Sequence, residues 1–270
     1  LIGWLTYKLV RRWQKSELAA LFSLFFVYFS GSFGWLVAWV RQGNFGGESM
    51  FWANQAVSSL INPPFAASLI LLLAGLNFFF EYQKKPTTKL LIFQAILFGA
   101  LIQVKAYAGV LALIGLAVAS IFDRKVIKIF LASLLVALIV FLPTNRSSAG
   151  LLIFSPLWFP ETMAAFADRF GWPRLANAIA AYKSGGNFVK LIPAEVLALS
   201  IFLVGNFGTR ILGLGLISGW VKNFKKISAF EVMFLTMIAA GIVLPLLFIQ
   251  KGNPWNTIQF LYYSLFLSGV

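Results

Sequence analysis

Long apolar runs alternate with short polar stretches along the whole chain, and the runs have the length of helices. Leu18 to Val40, Pro63 to Tyr82, Ile127 to Leu142, Pro193 to Trp220, Ala229 to Ile249 and Thr257 onward each read as one crossing. A bilayer core takes roughly 20 apolar residues per helix. The runs are continuous, without the ten-residue alternation of a membrane barrel.

Between Lys89 and Arg124 the pattern changes. The 34 intervening residues are too many for one span and tight for two, so they predict a hairpin of two short, tilted helices over 90–122. Its turn falls at Gln103 to Tyr107, around Lys105. A lone ammonium in the middle of a straight span would cost roughly 2.5–3.5 kcal/mol, and a turn at the interface avoids that.

Two other runs carry internal breaks. Gly31-Ser32-Phe33-Gly34 predicts a kink in the first span, and Gly205 to Gly208 predicts a break beside Arg210. Asn62-Pro63-Pro64 reads as a helix start, with Asn62 as cap and proline in the first turn.

The stretch 143–192 is the longest without a spanning run and reads as an outer loop with two amphipathic helices, Glu161 to Phe170 and Pro173 to Lys183. Phe159, Met163, Phe166 and Phe170 fall on one face, with Asp168 and Arg169 facing away, the pattern of helices lying flat in the interface. The fold class expected is therefore all-α: a polytopic transmembrane helical bundle of about eight spans forming one domain over 1–270. Leu1 and Val270 both fall in runs that read as cut, so the chain is taken as part of a longer protein.

Composition agrees with this class. With 60% hydrophobic and 11% charged residues and a mean hydropathy of +0.86, the chain cannot cover a soluble globule with polar surface. The net charge of +14 changes the picture only through its placement. With the start inside, Lys8, Arg11, Arg12 and Lys15, then Lys84, Lys85 and Lys89, then Arg124, Lys125 and Lys128, then Lys222, Lys225 and Lys226 all fall on one face, as the positive-inside rule requires. The expected partner is the bilayer and not nucleic acid, and the expected location is a bacterial inner membrane. Histidine and cysteine are absent, which excludes imidazole or thiolate metal sites, His-based triads and Cys nucleophiles.

The opposite, extracytoplasmic face holds the candidate chemistry. Glu48 follows Gly46-Gly47 and precedes Phe51, Trp52, Asn54 and Gln55, so a carboxylate sits on a glycine-rich loop beside aromatic and amide groups. It is the candidate general base, or a ligand for a divalent cation (Mg or Mn) held through oxygen atoms; its alternative is a solvated acid ahead of a helix. Lys105, Arg146, Arg169, Arg174, Lys183, Lys190 and Lys251 supply cations on this face. Arg clamps a phosphate bidentately and Lys as a point charge, although snorkelling to lipid head groups accounts for most such cations. Asn256 and Gln259 share a face in GNPWNTIQFLYYSLF and can read a sugar or hold helices together.

The hairpin sequence LFGALIQVKAYAGVLALIGL, the Asn62-Pro63-Pro64-Phe65 helix entry and the WNTIQFLYY segment resemble the GT-C superfamily of membrane glycosyltransferases. The resemblance implies transfer of a sugar from a polyprenyl-phosphate donor, with inversion, on the outer face. It implies Glu48 as catalytic acid, Lys105, Arg146 and Arg174 as lipid-phosphate partners, and Trp52, Gln55, Asn256 and Gln259 as sugar or acceptor contacts. The family's usual catalytic acid is an Asp in the first outer loop after the first span; no such Asp is present here, so the resemblance leaves it to the sequence upstream of Leu1, with Glu48 a second acid of the site or a solvated one. An O-antigen polymerase or ligase would also have a large, Arg-bearing outer loop, and a transporter would show repeats, broken helices and buried ionisable groups.

Overall fold

The computed structural model describes residues 1–143, 151–213 and 227–270. The chain is nearly all helix: α1 (Ile2–Gln14), α2 (Glu17–Phe29), α3 (Gly34–Gln42), α4 (Gln55–Ile61), α5 (Pro63–Lys84), α6 (Thr88–Val104), α7 (Ala106–Phe122), α8 (Lys125–Phe141), α9 (Trp158–Ala165), α10 (Pro173–Ser184), α11 (Phe188–Phe207), α12 (Ala229–Leu247) and α13 (Gln259–Gly269). One feature departs from the all-α expectation. A two-stranded antiparallel ribbon pairs β1 (Leu152–Phe154) with β2 (Phe248–Gln250), in register Ile153 to Ile249. Both strands lie inside apolar runs, where a three-residue ribbon leaves no period to read.

Among the described residues, three helical segments are long and apolar enough to cross a membrane: Pro63–Lys84, Phe188–Gly213 and Ala229–Leu247. The pair α2 and α3, bent by 51° at its break, makes a fourth if taken as one broken span. Helices α6 and α7 are apolar but only 17 residues each. The outer surfaces of α2 and α8 expose Phe22, Phe25, Leu131 and Leu135, a greasy exterior suited to lipid contact.

The predicted helix start at Asn62 is present: its Oδ1 accepts the Phe65 N–H at 3.2 Å, with proline in the first turn. The predicted hairpin turn is also present and narrows to Lys105, the single residue between α6 and α7. Close approach needs glycine there, because a Cβ on Gly109 would lie 2.6 Å from the Ile102 backbone. The start of the chain, placed inside by its charges, forms a helix. Its Leu5 and Leu9 join the main core with Leu72, Leu76 and Phe79 of α5, and Arg12 pairs with Glu81.

The two breaks predicted from glycine meet each other. The Phe33 N–H donates to the Gly205 carbonyl at 2.8 Å and Ser30 and Thr209 hydroxyls lie 2.7 Å apart. Arg210, 2% exposed, donates from Nη2 to the Ser30 carbonyl and to Gln55 Oε1, the latter at 2.6 Å. Asn206 Oδ1 accepts the Ala53 N–H at 3.1 Å. The crossing of two interrupted helices thus supports the chain from Ala53 to Gln55, whose Asn54 lines the cleft described below.

Candidate functional site: an aromatic and amide cleft

Three separate stretches of the chain converge on a cleft of about 770 Å³. The α3–α4 loop gives Ser49, Trp52 and Asn54, and Ser58 and Asn62 follow from α4 and its end. The turn after α9 gives Phe166, Asp168 and Arg169. The 3₁₀ turn Pro254–Ile258 and the start of α13 give Trp255, Asn256, Gln259 and Tyr262. The volume suits a small ligand.

Trp52 sits at the centre of the aromatic wall. Its ring stacks on Trp255 at 6.2 Å with an interplanar angle of 19°, and meets Trp158 at 5.6 Å and Phe159 at 5.7 Å. The backbone at Trp52 has φ 79°, a left-handed conformation costly for a bulky residue and held here by the packing around it. The guanidinium of Arg169 lies 4.1 Å over the Trp52 ring, donates to the Ser49 carbonyl at 3.0 Å and pairs with Asp168 at 3.5 Å. On the opposite wall the Tyr262 hydroxyl donates to Asn54 Oδ1 at 2.7 Å, and Ser58 Oγ donates to the same oxygen at 3.1 Å.

The sequence places Asp168 and Arg169 on the solvent face of a helix running to Phe170, and here the structure corrects it. Helix α9 stops at Ala165, and the chain turns back so that the Gly171 N–H meets the Met163 carbonyl at 3.1 Å and the Trp172 N–H meets Ala164 at 2.7 Å. The helical phase ends before residue 168, and the acid and its neighbour turn into the cleft. Gly171, at φ 58°, is the one residue in the turn that needs glycine. Arg41 fixes the turn from outside, donating to the Phe170 carbonyl at 2.5 Å and lying 4.6 Å over its ring.

The predicted contacts divide. Trp52, Asn256 and Gln259 line the cleft together. Gln55 lies below it, its side chain accepting from Arg210 and donating to Ser59 Oγ at 2.8 Å. Glu48 is exposed on the loop and borders the small crevice above Arg210, with its carbonyl accepting from Ser32 Oγ at 2.9 Å. Arg174 is exposed on α10, and Arg146 lies outside the described residues.

Lys105 stands outside the cleft lining, 5.9 Å from the ring of Tyr107. Burial pushes its ammonium below the ordinary lysine value. Tyr107 in turn packs edge-on against Phe260 at 4.9 Å and donates to Gln250 at 3.2 Å, so Lys105 shares the cleft's end of the bundle. Among the described residues no three acidic side chains gather as a metal cage. A divalent ion in the cleft would rest on Asp168 with neutral amide, hydroxyl or substrate oxygens.

Beside the cleft, Lys183 of α10 bonds Glu161 of α9 at 2.5 Å and Glu195 of α11 at 3.4 Å. Burial lowers the Lys183 pKa, and the bonds to both carboxylates more than reverse this, leaving it raised. The staple fixes the helices that carry the Phe166–Arg169 turn.

Compared with protein-family models, curated proteins and solved structures, the chain matches none of them.

Proposed function

We propose that this chain is a membrane glycosyltransferase of GT-C type, moving a sugar from a polyprenyl-phosphate donor to an acceptor on the extracytoplasmic face of a bacterial inner membrane. In this reading α6, α7, α8 and α13 join the longer spans to make eight crossings, and the cleft opens at the outer surface. The observation that carries it is the cleft's wall: flat Trp52 and Trp255 rings beside Asn54, Asn256, Gln259 and one carboxylate. Indole faces stack on the C–H face of a pyranose while amides exchange hydrogen bonds with its hydroxyls. Arg169 and, nearer the bundle edge, Lys105 provide positive charge for a phosphate.

A transporter is the second reading, favoured by the two interrupted helices and buried Arg210, the pattern expected around a transported ion or solute. Arg210 Nη2 is held by two protein acceptors, however, and the crevice beside the guanidinium has a volume of about 10 Å³, room for a water on the unpartnered Nε at most. The crossing serves as a packed support.

The test is release of undecaprenyl phosphate from undecaprenyl-phosphate-linked glucose, mannose or galactose by the purified full-length protein in nanodiscs. Release from at least one donor is expected. Counterflow of a free sugar in proteoliposomes without any release would favour transport.

A further inference from the structure

The structure accounts for every carboxylate in the chain, and that accounting assigns a role the sequence gives to a different residue. Eight acidic side chains are present. Glu17 accepts from Tyr7, Glu81 pairs with Arg12, and Asp123 caps the Lys125 N–H. Glu161 and Glu195 are held by Lys183, and Glu231 closes a capping box with Ser228. Glu48 is exposed on its loop and does not line the cleft. Only Asp168 does.

We propose that Asp168 is the catalytic base of the cleft. The assignment rests on the glycosyltransfer reading above and names the group that accepts the proton. The Asp168 side chain is 72% exposed, so an acceptor hydroxyl can reach it, and its proton can afterwards pass to water. Its position is nonetheless defined. Arg169 ties it to the Ser49 carbonyl and to the Trp52 ring, on which the half-exposed Trp255 indole stacks, and the Gly171 and Trp172 N–H bonds close the turn that carries both residues. One fixed frame therefore holds the base and, through the stack of Trp52 on Trp255, the exposed indole that would meet a sugar.

The acceptor O–H gives its proton to the Asp168 carboxylate, and the oxygen's electron pair forms the bond to the anomeric carbon. The bond from that carbon to the phosphate oxygen breaks, its electron pair leaving on the polyprenyl phosphate. General bases of this kind contribute about 10²–10⁴-fold to rate.

The full-length protein in nanodiscs gives two readouts with the three undecaprenyl-phosphate sugars: quenching of indole fluorescence on binding, and single-turnover release of undecaprenyl phosphate. Asp168→Asn is expected to bind the donor within about threefold of wild type and to lose release by about a hundredfold or more. Asp168→Glu should recover part of that loss, which a purely structural role would not produce, and Glu48→Gln should release at near wild-type rate. Release by Asp168→Asn within a few fold of wild type overturns the assignment, as does a hundredfold loss in Glu48→Gln with Asp168→Asn active. A wild type that neither binds nor releases any of the three donors overturns the glycosyltransfer reading itself, and the base assignment with it.

Discussion

Gly208 and Gly31 touch backbone to backbone: a Cβ on Gly208 would run into the carbonyl oxygen of Gly31, and Gly208 also holds φ at 53°. The relationship is one-sided, because a Cβ on Gly31 would meet nothing within 4 Å. Gly208→Ala is therefore expected to destabilise the protein by roughly 3 kcal/mol, from backbone strain and collision together. Gly31→Ala should be close to neutral. Thermal unfolding of both variants in the same detergent checks the contrast.

Arg210 joins the same crossing to the base of the cleft. Removing its guanidinium leaves the Ser30 carbonyl and Gln55 Oε1 buried without a donor, at a cost of about 3 kcal/mol. Arg210→Lys should recover only part of this, since one ammonium on a flexible stem replaces a planar fork. Unfolding midpoints of Arg210→Met and Arg210→Lys against wild type measure it.

Trp255 is half exposed and stacks on Trp52, so its loss should affect ligand more than fold. Trp255→Ala is expected to weaken binding of the proposed sugar donor by up to about tenfold. The change in unfolding midpoint should be small. Titration by indole fluorescence, with Trp52 and Trp158 as remaining reporters, separates the two effects.

The Lys183 staple carries a defined pH dependence. Its folded pKa is raised above the unfolded value of 10.5, so its contribution is fully present below pH 10.5 and is lost as pH rises through the folded value. Lys105 behaves oppositely: burial lowers its pKa, so the charged form costs stability below the folded value and the cost disappears as pH approaches 10.5. Lys183→Met should lose no more than about 1 kcal/mol, since the pair is partly exposed. Lys105→Met should be neutral or stabilising. Unfolding midpoints from pH 7 to pH 11 distinguish the two signs.

Helix boundaries were legible wherever a local chemical signal marks them. The Asn62 cap with its prolines, the Lys105 turn and the glycine breaks at 31–34 and 205–208 all lie where the sequence puts them. Half of the aromatic and amide wall was legible too, since Trp52, Asn256 and Gln259 stand in polar, aromatic clusters at the ends of apolar runs. Gln55 lies in the same kind of cluster, but its partner is Arg210, 155 residues away, and no local pattern encodes that. Asp168 was misread because its direction depends on α9 ending three residues earlier, at Ala165. The Gly171 turn signal was the available clue, and helical periodicity overrode it.

The measurement that bears most directly on the proposed sugar site is photolabelling of the full-length protein with undecaprenyl-phosphate glucose carrying a diazirine on the sugar, read by peptide mass spectrometry. Labelling concentrated on Ser49 to Asn62, Phe166 to Arg169 and Trp255 to Tyr262 is predicted, with loss of signal when excess unmodified donor is added. Labelling that avoids these three stretches and falls instead on the apolar groove between α1, α2 and α13 would contradict it.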